Sequence, residues 1–367
     1  MSTPANDPRA AAQHEAEIHL TAGQLPGYIG PAVFVVALVV SATVLGLLGA
    51  FGWIATVLLA VIGFLVAMFA LSTAVEGRRR AVDRIARYLI LGTFLLALAP
   101  LLSLLFKVAS EGIIRFDVTY FTSTKRNVIG AGGGAAHAII GTLITTGMAT
   151  VFSVPVGLLT AIYLVEYGKG WMKRVITFLV DVMTGIPSIV AGLFAYSLIS
   201  LMVGHGSKSG LAGALALSVL MIPYVVRNSE EIIRLVPDKL REASYGLGVS
   251  KWRTIVKVVL PTSVSGIVSG VVLAIARIIG ETAPLLITMG FTASMTTNPL
   301  PTGGSNMVNP MTSLPVFVFY EYTRPGRPQE AFLDRAWTGA LVLVLIVMVL
   351  NLIGRWVARK YAPKINR

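Results

Sequence analysis

Cysteine is absent from the 367-residue chain. That excludes disulfide staples, thiolate metal sites and a cysteine nucleophile, and it says nothing about redox compartment. Charge is scarce: Asp, Glu, Lys and Arg make up 13% of the residues, where soluble domains carry about 25%. Only four histidines occur, His14, His19, His137 and His205. His14 and His19 are five apart, which is the wrong spacing for an H-E-x-x-H zinc pair. No G-x-x-x-x-G-K-[ST] phosphate loop is present, because Gly206-Ser207-Lys208-Ser209 lacks its Gly-Lys core, and G-x-S-x-G is missing too. The chain is therefore not expected to hydrolyse ATP, hold a metal or catalyse a reaction. Its basic stretches lack the interleaved aromatics of a single-strand nucleic-acid binder.

What fills the chain instead is hydrocarbon, with 55% hydrophobic residues and a mean hydropathy of +0.78. A bilayer core about 30 Å thick needs about 20 apolar residues in a helix. Eight segments meet that measure: Pro31–Ala50, Trp53–Ser72, Tyr88–Phe106, Ala138–Tyr163, Thr177–Met202, Leu211–Val226, Ser263–Leu286 and Trp337–Val357. The first two are separated by Phe51 and Gly52 and read as a tight hairpin, less readily as a re-entrant pair. The sixth is short, with Ser209, Gly210 and Arg227 as interfacial flanks. Residues 1–30 have no basic start followed by an apolar core, so they read as a polar tail with a short helix near Ala10–His19. Pro155, Pro187 and Pro223 fall within spans and predict kinks.

The net charge of +13 reports topology rather than nucleic acid. With the N-terminus inside, 21 of the 30 Lys and Arg fall in the tail, in 73–87, 164–176, 227–262 and at the C-terminus. Eight fall in the outside segments, and Arg277 lies within a span. Cytoplasmic loops collect basic residues, so both termini are placed in the cytoplasm.

Two outside segments, 107–137 and 287–336, are long enough to fold on the membrane surface. The first ends in Gly132-Gly133-Gly134, read as a flexible entry into the fourth span; a phosphate cradle at the helix start is the weaker alternative. In the second, Leu314–Tyr320 is apolar and too short to span, so it lies on the membrane surface or on neighbouring helices. The inside segment 227–262 predicts two short helices around a glycine turn. One opens at Pro237-Asp238 and stops at Gly246 or Gly248; the other is capped by Ser250, covers Lys251–Lys257 and ends before Leu260-Pro261. Together they form a cytoplasmic knob.

Charges inside a membrane are rare and costly. Arg277 and Glu281 are four residues apart, on one helical face. Advancing about 100° per residue, Gly266, Gly270, Ala274, Arg277 and Glu281 all fall within about 80° of arc. Small residues along that stripe allow another helix to approach closely. The ion pair either locks helix packing or lends Arg277 to an anion in a pathway. Asp181 caps or snorkels at the interface, or contacts a neighbouring helix.

Glu242-Ala243-Ser244, then Gly248, then Leu260-Pro261 resembles the Glu-Ala-Ala loop of ATP-binding-cassette (ABC) importer permeases, the binding-protein-dependent transport permeases. Ser244 stands for the second alanine and Val258 for the usual isoleucine, both close in size. The run Ala274–Leu286, together with Ser265–Val268, Ile186–Gly192, Gly132–Gly134 before Gly141-Thr142-Leu143, and Leu314-Pro315-Val316, resembles one of the two permease subunits of phosphate importers. The sister subunit typically carries Met after its Gly-Glu-Thr, where Ala283-Pro284 stands here.

The resemblance covers 132–360 and implies an all-α integral membrane protein of about eight helices. It implies the type I ABC importer permease fold, with 31–75 as an added hairpin, 76–137 as third span and external segment, 138–360 as core with coupling loop 228–261, and 361–367 as tail. It also implies a non-enzymatic subunit that conducts inorganic phosphate past Arg277, Glu281 and Thr282. Helix packing falls to Gly266 and Gly270, and ATPase coupling to Arg241, Glu242, Ala243, Ser244, Gly248, Leu260 and Pro261. The implied partners are a sister permease, two ATPase copies carrying ATP and Mg, and an external phosphate-binding protein on 107–137 and 287–336. Two competitors remain: an ion-driven carrier, which lacks a reason for the coupling loop and shows no clear inverted repeat, and an ABC importer of another oxyanion such as molybdate or sulfate.

Overall fold

A computed structural model describes residues 25–204, 206–301 and 309–360. The expected helix near Ala10–His19, part of the second external segment and the C-terminal tail lie outside the described residues. Every regular element among the described residues is helical. The chain divides into two compact units, one up to Leu104 and one from Leu105 onward.

The first unit holds α1 (Ile29–Leu47), α2 (Trp53–Glu76) and most of α3 (Arg78–Gly112). α1 ends where Gly49 adopts φ +66, a left-handed conformation that glycine enters without strain. The chain then reverses into α2, so 31–72 is a hairpin of two spans. The buried face of α2 repeats every four residues, at Thr56, Ala60, Phe64, Met68 and Ser72, and Phe34 of α1 meets the edge of Phe64 at 5.6 Å. At Gly30 a side chain would strike the Tyr88 hydroxyl at 2.2 Å, which fixes the seam between α1 and the start of α3.

The second unit is built on α5 (Ala136–Ile162), extended by a π-helical turn Tyr163–Tyr167, and α8 (Gly210–Arg234). Lipid offers no hydrophobic drive for helices to associate, so close packing of small residues has to hold them. Gly157 meets Val225 at a separation no Cβ would tolerate, the Ser153 hydroxyl donates to the Ser218 carbonyl at 3.4 Å, and Ser218 returns a bond to the Ala149 carbonyl at 3.5 Å. Around this seam Leu217, Met221, Val225, Ala274, Ile278, Leu285 and Met289 form the main core. α8 runs two turns past the expected end at Val226, so Arg227 is an internal residue and not a flank. Glu230 and Arg234 follow it on the same side and neutralise the extension.

Seven described helices are long and apolar enough to cross a membrane. The fifth expected span, Thr177–Met202, is instead two helices, α6 (Gly170–Thr184) and α7 (Ser188–Val203), bent by 106°. Gly185-Ile186-Pro187 makes the break, since proline drives the residue before it away from helical geometry. Pro155 and Pro223 sit inside continuous helices, whereas Pro187 lies at the 106° break. The seventh expected span, Ser263–Leu286, stops at Ile279: α11 (Leu260–Ile279) is followed after Gly280 by the short α12 (Ala283–Thr288). α13 (Leu314–Thr323) buries Leu314 to Phe317 against α5 and the last helix, α14 (Gln329–Lys360).

On the side expected to be external, the glycine triplet is a packed turn rather than a flexible entry. Gly132 and Gly133 take φ +101 and +64, and a Cβ on Gly134 would lie 2.4 Å from the Tyr120 carbonyl. Arg335, 1% exposed, donates from Nη1 to the Gly130 and Gly132 carbonyls at 2.7 and 3.0 Å and from Nε to Glu321 at 2.9 Å. Lys125 also pairs with Glu321, and Arg115 donates to the Gly133 carbonyl at 3.0 Å. The triplet thus presents carbonyls to arginines, the opposite of an amide cradle for phosphate. Tyr120, in the short α4 (Val118–Thr122), donates to the Arg335 carbonyl at 3.0 Å, and burial holds its phenol well above the ordinary value.

Two outcomes test this packing in detergent-solubilised protein. Gly141→Val places a side chain where a Cβ would already lie 2.1 Å from the Thr312 carbonyl, so thermal unfolding should show a loss of about 1–3 kcal/mol. Gly147→Val, on the same helix with open space around it, should unfold at nearly the parental temperature. Arg335→Met strips Glu321 of one partner and two glycine carbonyls of their donor, and should lower stability by about 3 kcal/mol.

Candidate functional site

Two places in the second unit gather the residues singled out by the sequence: a cavity beside the break between α6 and α7, and the knob between α8 and α11.

The small-residue stripe of α11 does face another helix. A Cβ on Gly266 would meet Ile232 at 2.6 Å, and one on Gly270 would meet Asn228 at 2.8 Å. Asn228 donates its side-chain amide to the Gly270 carbonyl at 3.3 Å. This docks α11 on α8 and carries Arg277 and Glu281, two to three turns further on, to the Tyr224 region of α8. Arg277 is ion-paired with Glu281, and its guanidinium lies 5.8 Å from the Tyr224 ring. The pair is uneven: the Glu281 side chain is 12% exposed and that of Arg277 54%. The carboxylate is held while the guanidinium keeps open donors.

Arg277, Glu281 and Tyr224 line a cavity of about 250 Å³ with Met183, Thr184, Ile186, Pro187 and Ser188. The cavity exists because the fifth span breaks there, and it includes the N-terminal end of α7. Helix N-termini carry unpaired N–H groups and partial positive charge. The wall therefore combines a guanidinium already paired with a carboxylate, a helix start and a phenol ring. Thr282 does not join it. It stands at the start of α12 and borders a shallow apolar depression with Ala283, Leu286 and Pro315.

Asp181 contacts a neighbouring helix, the second of its two expected roles: it pairs with Arg227 of α8. Arg227 also donates to Glu230 at 2.9 Å, and Glu230 accepts from Arg234. This four-residue chain ties α6 to α8 beside the cavity. Glu230 and Arg234 escaped the sequence reading, and Arg227 entered it only as an interfacial flank, because the sixth span was ended two turns too early. Among the described residues no three His, Asp or Glu side chains gather as a metal site.

The knob comprises α9 (Asp238–Gly246) and α10 (Lys251–Thr254). Gly248 has φ +75 just past the end of α9, with its N–H bonded to the Tyr245 carbonyl at 2.9 Å, as a left-handed helix cap requires. Ser244 is buried and its hydroxyl bonds Thr254 at 2.9 Å, locking α9 to α10. Arg241 also turns inward, to Glu166 at the end of α5. Glu242, Ala243 and Gly248 remain on the outer surface, beside Tyr245, Leu247 and Trp252, which are large, apolar and exposed.

The second knob helix does not end before Leu260-Pro261. It passes through a π-helical turn, Ile255–Val259, directly into α11, with Leu260 half-buried and Pro261 exposed in the first turn of α11. Pro261 has no N–H to give, and the widened turn ahead of it lets the helix continue. Thr262 and Ser263 hydroxyls bond the Val258 and Val259 carbonyls at 2.7 and 2.8 Å. The second knob helix is thus continuous with the helix that carries Arg277.

Residues 153–367 match the family described as binding-protein-dependent transport system inner membrane component. The phosphate transport system permease protein PstA 1 of Mycobacterium tuberculosis is 47% identical over 280 residues, 75% of this chain and 88% of that protein. PstA of Yersinia pestis is 40% identical over 77% of this chain and 92% of its own length. Among solved structures, a bacterial alginate ABC transporter in complex with a periplasmic protein has a chain that superposes with a TM-score of 0.55 at 15% identity, covering 76% of this chain and 95% of that one. That similarity is one of fold, and it accords with an all-helical, multi-pass membrane protein. The small-residue stripe, the broken fifth span and the Glu-Ala-Ala-like knob are therefore features of a permease: the chain belongs to the binding-protein-dependent transport system inner membrane component family, among its PstA phosphate transport permeases.

Proposed function

We propose that this chain forms half of the translocation pathway of an ATP-driven importer of inorganic phosphate, with both termini in the cytoplasm. The observation that carries the reading is the uneven Arg277–Glu281 pair on the wall of the cavity at the α6–α7 break. Transit needs binding that is weak enough to reverse. A lone buried guanidinium would hold phosphate too tightly, whereas Glu281 neutralises Arg277 and leaves part of its fork free for a phosphate oxygen. With water occupying about 30 Å³ per molecule, 250 Å³ accommodates an anion with part of its hydration shell. The PstA name of the relatives supports phosphate over other oxyanions.

The partners follow from the same reading. A sister permease supplies the other half of the pathway, and an external phosphate-binding protein delivers cargo to 107–137 and 287–336. Two ATPase subunits, which hold ATP and Mg, receive the knobs. The exposed Tyr245, Leu247 and Trp252 around the Gly248 turn offer the apolar contact area such docking needs. Closure of the ATPase dimer pushes the knob, and the unbroken run from α10 into α11 moves Arg277 with it.

Two measurements test these roles. Arg277→Gln removes a charge-assisted contact of about 1.5–3 kcal/mol, so uptake of labelled phosphate at low concentration should fall about tenfold or more with the assembled complex intact. Undiminished uptake, or equal competition by sulfate and molybdate in the parental protein, would sink the phosphate assignment. Gly248→Asp forces a side chain into φ +75 on the docking face; affinity purification from native membranes should recover the sister permease while the ATPase is lost. Recovery of the chain alone from the parental strain would favour an ion-driven carrier.

A further inference from the structure

The π-helical turn that ends α5 has no place in the pathway or on the docking face, yet it holds a buried carboxylate. Glu166 sits in that turn with its side chain 6% exposed. It accepts a hydrogen bond from Arg241 Nε of the knob at 3.1 Å, and Nη2 lies 3.0 Å from the same carboxylate oxygen. Arg241 spends its other donors on the Ile233 carbonyl at 3.0 Å, the Val236 carbonyl at 2.6 Å and Asp238 at 2.9 Å. Ile233 and Val236 belong to the last turn of α8 and the residues after it, where helical carbonyls have no partner of their own. All three guanidinium nitrogens are thus engaged, and one side chain joins the ends of α5 and α8 to α9.

A second cation reaches the same residue. Lys251, the first residue of α10, donates to the backbone carbonyl of Glu166, and its ammonium lies 4.8 Å from the Tyr167 ring centroid. Glu166 lies in the last turn of its helix, where backbone carbonyls have no intrahelical partner. Glu166 therefore grips both knob helices, α9 through its carboxylate and α10 through its carbonyl. Among the described residues Arg241–Glu166 is the only ion pair linking the knob to a membrane helix. The apolar packing of Ile255 and Val259 on Ala161, Ile162 and Ile233 supplies adhesion, but greasy contacts slide, whereas the charge-assisted bond from Arg241 to Glu166, with Arg241 also held on the Ile233 and Val236 carbonyls, sets direction.

We propose that Glu166 is a positioning residue for energy coupling: through Arg241 and Lys251 it sets the angle of the knob relative to α5 and α8, so that motion of a docked ATPase is delivered to the helices bearing Tyr224, Arg227 and Arg277. This rests on the coupling role proposed for the knob. Glu166 touches no substrate, and its effect is read in efficiency rather than in binding.

The test uses the complete transporter, chain plus sister permease and ATPases, reconstituted in proteoliposomes with inorganic phosphate as cargo. The readout is phosphate moved per ATP hydrolysed, which a merely structural defect would leave unchanged while lowering the amount of complex. Glu166→Gln should lower that ratio about fivefold or more, and Glu166→Asp, which keeps the charge on a shorter stem, should fall between Gln and the parental protein. An unchanged ratio in Glu166→Gln overturns the proposal, as does a loss confined to the yield of complex. If the Gln variant does not assemble, Glu166→Asp decides alone: a reduced ratio supports the proposal and a parental ratio overturns it. Leu247→Asp, on the outer face of the knob, separates the two layers. If that variant keeps both its ATPase and its uptake, the coupling role itself fails; if it loses them while Glu166→Gln keeps the parental ratio, only the inference about Glu166 fails.

Discussion

Close contact between α5 and α8 is the constraint on which the second unit depends. In lipid, two helices gain nothing from hiding hydrocarbon from hydrocarbon, so they adhere only where their surfaces fit. Gly157 against Val225 and the reciprocal Ser153–Ser218 and Ser218–Ala149 bonds bring the backbones together. α8 is thereby fixed, and everything functional hangs from it. Tyr224 and Arg227 face the cavity side, Asn228 and Ile232 receive the glycines of α11, and the carbonyls at its end hold Arg241. Widening this seam by one methyl group would shift the cavity and the knob together.

The buried charges divide into two kinds by how completely they are enclosed. Arg335 and Glu321 are each 1% exposed and spend their bonds on Lys125 and on glycine carbonyls. Their work is to hold the glycine turn at 130–134 against α13 and α14. Arg277 is also paired, but half its surface is open. Low-dielectric surroundings penalise any unpaired charge, so both arginines need a carboxylate; only the open one can share its donors with a passing anion. Arg227 lies between these extremes and braces the broken span against α8.

The helix breaks place the chemistry. The break in the fifth span lies where Arg277 borders the cavity, and the last turn of α5 presents the Glu166 carbonyl to Lys251. Irregular backbone is tolerated at membrane depth where protein or a cavity surrounds it. Here it occurs at Gly185–Pro187 and in the two π turns, next to the cavity and next to the knob.

Much of this was legible in the sequence. Long apolar runs, the asymmetry of Lys and Arg, and the spacing by threes and fours of Gly266, Gly270, Ala274, Arg277 and Glu281 are local properties, because bilayer thickness and helical pitch convert residue number directly into length and face. The glycine turn of the knob was legible for the same reason, since Gly248 needs only its own φ. The 106° bend, the extension of α8 beyond Val226, the packed glycine triplet and the inward turn of Arg241 were not. Each depends on a partner far along the chain: α8 continues because Arg227 finds Asp181, the triplet is stiffened by Arg335 some two hundred residues away, and Arg241 turns inward to Glu166. The sequence by itself determined that this is a multi-span helical protein with an ion pair on a small-residue face and a protruding basic knob. Only the tertiary structure decided which of those charges are sealed and which stay open, because that depends on what packs against them.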